Sequence, residues 1–72
     1  VKKKEVTKEI VKYIDTFDDS GAWHGEVNLV SWNGKEAKVD IRNWSEDHVK
    51  CSRGLSLTRE TARMLGEILI RL

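Results

Sequence analysis

Apolar and polar residues alternate most clearly between Ala37 and Trp44. Ala37, Val39 and Ile41 fall on one side, and Lys38, Asp40, Arg42 and Trp44 on the other, which predicts a strand with one covered face. Upstream, Trp23–Trp32 predicts another strand centred on Val27, Leu29 and Val30, and Asn33-Gly34 marks a tight reversal between the two. Val6–Phe17 fits two patterns, a helical stripe (Val6, Ile10, Tyr13, Ile14, Phe17) or a strand with Val6, Ile10 and Ile14 on one face and Val11, Tyr13 and Phe17 on the other. Its β-branched content favours the strand, and Asp18-Asp19-Ser20-Gly21 supplies the turn after it. Ser45–Arg53 reads as a polar loop and Gly54–Leu57 as a short fourth strand. Thr58 is placed to cap a helix running from Arg59 to the end, with Glu60 complementing its dipole. Leu65, Leu69 and Leu72 form its apolar stripe, widened by Met64 and Ile68, and Arg63 and Glu67 pair on the wet side. Gly66 weakens the helix interior, so a close packing contact is expected there, a second helix being one candidate.

The expected fold is therefore α+β: a four-stranded curved antiparallel sheet followed by one C-terminal helix. One helix covers one face of such a sheet. Val27, Leu29, Val39 and Ile41 are assigned to the covered face, leaving Asn28, Val30, Trp32, Lys38, Arg42 and Trp44 on the open one, with Lys35 beside it on the hairpin. This depends on register. A plain two-residue loop at Asn33-Gly34 pairs Val30 with Ala37 and turns Trp32 inward. An odd-length, bulged connection pairs Leu29 with Val39 and is the preferred reading. Trp23 shares the parity of Val27 and Leu29 and is expected to pack. Trp32 and Trp44 have an alternative role as core or interface residues, and Lys38 and Arg42 as partners of Asp40.

Length and composition narrow the classes. A chain of 72 residues makes one domain (1–72, with 1–4 a basic, flexible end), and its core is marginal without reinforcement. Cys51 is the only cysteine, so no disulfide forms within the chain. His24, His48 and Cys51 are too few and too scattered for a complete metal site. Self-association is the remaining route, through Leu65, Gly66, Ile68, Leu69 and Leu72. A Cys–His nucleophile at His48 and Cys51 lacks a third group and an oxyanion site. No phosphate cradle or carboxylate pair is present, so neither an enzyme nor a cofactor is expected. Lys2–Lys4 precede no apolar segment, and no run is long enough to span a bilayer; with a lone cysteine, this suggests a cytoplasmic setting. The net charge is only +1, so any nucleic-acid reading rests on where the charges point.

An open face with two tryptophans, an arginine, a lysine and an asparagine suits unpaired bases, which stack on indoles while cations hold the phosphates. The rival reading is a protein-docking surface. The runs Leu29–Lys35, Asp40–Trp44 and Arg53–Thr58 resemble those of the bacterial YdbC-like proteins of the positive-cofactor-four family of transcriptional coactivators, over roughly residues 9–72. The resemblance implies a homodimeric single-stranded-DNA binder with a β-β-β-β-α protomer and helices paired across the dimer, and stacking, being largely blind to base identity, makes the binding largely sequence-independent. Single-stranded RNA is a possible ligand too. By resemblance Trp32, Lys35, Arg42, Trp44 and Arg53 fall at DNA contacts, and Asn28, Lys38 and Lys50 complete the expected site. Between Trp32 and Asp40 the chain is a residue longer than the eukaryotic members, and Asn33 stands where they carry lysine.

Overall fold

The computed structural model describes residues 6–72, so the basic segment Lys2–Lys4 lies outside the described residues. Strands β1 (Lys8–Asp18), β2 (Trp23–Trp32), β3 (Lys38–Ser45) and β4 (Leu55–Leu57) precede helix α1 (Arg59–Leu69). The four strands form one antiparallel sheet in sequence order. Thr58 caps α1, its hydroxyl accepting from the Thr61 N–H at 3.1 Å. The helix stops at Leu69 and the chain ends in a turn, rather than continuing helically to Leu72 as expected.

The hairpin between β2 and β3 reconciles two geometries. Asn33 and Gly34 both have positive φ (54° and 73°), and the Trp32 carbonyl accepts from the Lys35 N–H at 3.0 Å, closing a two-residue turn. Yet the ladder begins with Val30 opposite Lys38 and continues with Leu29 opposite Val39. From the turn closure to the first ladder pair, β2 advances two residues and β3 three, so a bulge before β3 absorbs the difference. The expected Leu29–Val39 register results, with Trp32 on the same face as Asp40 and Arg42.

β1 departs from simple alternation. Its pairing with β2 skips Val11, Ile14 and Phe17, three bulges at regular intervals. Each bulge resets parity, so the two-face assignment of β1 read from the sequence does not hold. Ile10 stands opposite Val30, whereas Ile14 lines a groove with Leu29, Val39 and Ala62. The three skipped residues are all exposed.

The assignment of faces is also corrected. The face expected to be open contains Val30, Asn28, Asp40, Glu26 and Trp44, all buried. The face expected to form the core is covered less: Leu29 is buried, but Val27, Val39 and Ile41 are only half-buried. Helix α1 rests on β3 and β4, reaches no further across the sheet, and contains no buried residue. What closes the other face is the segment between β3 and β4. His48 folds back to place Nε2 within 3.0 Å of both Glu26 carboxylate oxygens, and its ring lies 5.7 Å from that of Trp44. From β1, the Lys8 ammonium donates to the Val49 carbonyl at 2.8 Å. Trp23, expected to pack, is 45 % exposed at the start of β2.

Candidate nucleic-acid interface

β2 and β3 run side by side so that Glu26, Asn28 and Val30 stand opposite Arg42, Asp40 and Lys38. Directly opposed residues share a face, which gathers acids and bases into one band. The buried members satisfy one another. Asn28 Nδ2 donates to Glu26 Oε1 at 3.0 Å, and Glu26 in turn faces His48. Asp40 accepts from Arg42 Nε at 2.5 Å, from Ser56 Oγ at 2.9 Å and from Trp32 Nε1 at 3.2 Å. A buried carboxylate is tolerated only when its oxygens are occupied in this way. Asn28 Oδ1 and Trp44 Nε1 are the buried side-chain atoms left without a protein partner among the described residues.

The expected site residues separate by exposure. Lys35, Lys38, Lys50 and Arg53 are exposed, free to meet an anion. Trp32 is half-buried: the Arg42 guanidinium lies 4.5 Å from its ring centroid, and Asp40 pins its N–H edge. Arg42 itself is largely covered, with 12 % of its side chain accessible, and its donors go to Asp40 and the Ser52 carbonyl. Asn28 and Trp44 are 0 % and 1 % exposed, so as placed they present no surface to a ligand. Their expected accessibility is corrected. The reason is the folded-back loop, with Lys8 also 5.9 Å from the Trp44 ring.

Several contacts of the band were not read from sequence. Lys8 stands opposite Trp32, but only through the pairing of a bulged strand. Glu26 and His48 meet across 22 residues of sequence. Asp40 shares the parity of Arg42, which was the one available signal. Asp47 holds the loop in shape: its carboxyl accepts from the Val49 N–H and the Ser45 hydroxyl, and these bonds lower its pKa in that order of effect. His48 Nε2 is directed to Glu26.

An open four-stranded sheet, a basic hairpin and a single amphipathic helix define a small binding domain of the β-β-β-β-α class. The chain belongs to the Transcriptional Coactivator p15 (PC4) family, whose model matches residues 21–68, from just before β2 almost to the end of α1. At family level this is a nucleic-acid-binding, non-enzymatic group. An uncharacterized protein of Treponema pallidum (strain Nichols) is 39 % identical over 62 residues, spanning 85 % of this chain and 73 % of that protein. Among the described residues, no helix is long and apolar enough to cross a membrane.

Proposed function

We propose that this protein binds single-stranded DNA with little sequence preference, acting as a homodimer. The observation that carries the reading is Trp32, an indole held edge-on by Asp40 and backed by Arg42, at the end of a strand next to Lys35 and Lys38. An unpaired base stacks on the accessible part of that ring, and Lys35, Lys38, Lys50 and Arg53 hold the phosphates on either side. Asn28 and Trp44 build the site from beneath, and Arg42 braces the indole. A duplex hides its base faces and offers this platform nothing to stack on.

Self-association is supported by what the single chain leaves uncovered. Leu29, Val30 and Trp44 are its buried hydrophobic residues among those described, while Met64, Ile68 and Leu69 on α1 and Leu72 beyond it are exposed. Leu65 and Gly66 lie half-buried on the same helix. A core this small falls short for a lone domain, and pairing α1 with a second copy adds the missing apolar burial.

Titrating oligo-dT and a duplex of equal length while following tryptophan emission tests the reading. Quenching by oligo-dT at low salt, with weaker duplex binding, is expected. The affinity should fall with log salt at a slope of about −0.7 per neutralised phosphate, or roughly −3 per protomer if all four exposed cations engage. Absence of quenching by oligo-dT at low salt refutes it.

A further inference from the structure

We propose that Asp40 is the positioning residue of this surface: its carboxylate fixes the Trp32 indole and the Arg42 guanidinium as one preformed stacking platform. The proposal rests on the reading of Trp32 as the base-stacking residue. Asp40 is wholly buried in the centre of β3, with Asn28 opposite on β2 and Ser56 opposite on β4. Its two oxygens divide the work. Oδ1 takes the Arg42 Nε–H at 2.5 Å, and Oδ2 takes the Trp32 indole N–H at 3.2 Å and the Ser56 hydroxyl at 2.9 Å. The guanidinium is thereby laid over the indole, 4.5 Å from its centroid, and Nη1 is tied to the Ser52 carbonyl at 3.2 Å. Arg42 is thereby held against the protein, with Nη2 3.5 Å from the Ser56 hydroxyl. A ring fixed before binding loses less rotational freedom when a base stacks on it, so preorganisation contributes to affinity.

Electrostatics alone gives the opposite expectation. A buried negative charge beneath a phosphate-binding face repels DNA, so neutralising it should tighten binding. Positioning predicts that neutralising it weakens binding, because an amide in place of the carboxylate cannot accept from Arg42 on one side and from Trp32 and Ser56 on the other. The sign of the change therefore separates the two.

The test compares Asp40→Asn, Trp32→Ala and the double variant with the wild type for oligo-dT affinity at one salt concentration, with circular dichroism and sedimentation as checks on fold and assembly. Asp40→Asn is expected to lose on the order of fivefold or more in affinity, the lower end of what one stacked base is worth, and to lose nothing further in the Trp32→Ala background. Unchanged or tighter binding by Asp40→Asn, or an equal loss in both backgrounds, overturns the positioning role. No loss in Trp32→Ala overturns the platform itself and the proposal with it. Should Asp40→Asn not fold, the wild type decides. The Trp32 indole N–H, assigned by its disappearance in Trp32→Phe, must resist hydrogen exchange before DNA is added, and exchange at the rate of a free indole overturns the proposal.

Discussion

Gly54, the residue before β4, lies against Ile41 and Arg42 of β3, and no side chain fits there. A Cβ at Gly54 would overlap the Ile41 carbonyl oxygen and the Arg42 Cβ, and would come within 3.1 Å of the Arg42 Cα. These are backbone and near-backbone atoms of the central strand, so no rotamer change relieves the overlap. Gly54→Ala must push β4 off β3, taking with it Ser56, which bonds Asp40, and the start of α1. Overpacking of this kind costs about 1–3 kcal/mol, and a backbone collision belongs at the upper end. With a urea dependence of roughly 1–3 kcal/mol/M, the unfolding midpoint falls by about 1–3 M. Wild type and variant must be compared at equal protein concentration, because the stability of the proposed dimer would depend on it. Gly25→Ala is the internal control. There the added Cβ meets the outer edge of the Phe17 ring at 2.7 Å and the Asp18 Cβ at 3.1 Å; the Phe17 side chain is 62 % exposed and free to swing aside, and Asp18 need give by only a few tenths of an ångström. A Gly54→Ala midpoint equal to that of Gly25→Ala, with both near the wild type, would refute the requirement for close approach at Gly54.

Two further outcomes follow from the helix and the loop. Leu69→Glu puts a charge on the exposed apolar stripe of α1 and should shift micromolar protein from dimer to monomer in sedimentation; a wild-type molecular weight at that concentration contradicts pairing through this face. Asp47 has a carboxyl pKa lowered below its ordinary value of 3.8 by the Val49 N–H and the Ser45 hydroxyl. Its contribution is complete above that ordinary value and disappears as the pH falls through the lowered one. Acid denaturation of Asp47→Asn should therefore lack that part of the wild type's pH dependence, and superimposable acid profiles would contradict the assignment.

The elements themselves were legible because their signals are local. Alternation from Ala37 to Trp44, paired positive-φ residues at Asn33-Gly34, and Thr58 before the Leu65–Leu69 stripe each act within a few residues. Even the register was readable, since only an odd connection sets Leu29 against Val39. What alternation cannot say is which of two faces is covered. Glu26, Asn28 and Asp40 read as surface residues by type, and burial suits them only because His48, Trp32, Arg42 and Ser56 arrive from elsewhere in the chain to satisfy them. The same long-range folding of the loop onto β2 hides Trp44. In β1 the apolar residues Val11, Ile14 and Phe17 are the ones that bulge, so parity counted along the sequence fails three times. As for the candidate site, Trp32 and Lys38 were placed by parity and Lys35 by its turn, whereas Lys50 and Arg53 lie in a loop that parity does not reach and the buried carboxylate was visible only as an ion-pair partner.

The affinity of Trp32→Ala for oligo-dT, measured beside the wild type at the same salt, bears on the single-strand reading most directly. Removing one stacking platform should cost about 1–3 kcal/mol, or roughly 5- to 150-fold in affinity, with the fold and the dimer intact. Wild-type affinity in the folded, dimeric variant would mean that bases do not stack on Trp32 and that this face is not where the strand lies.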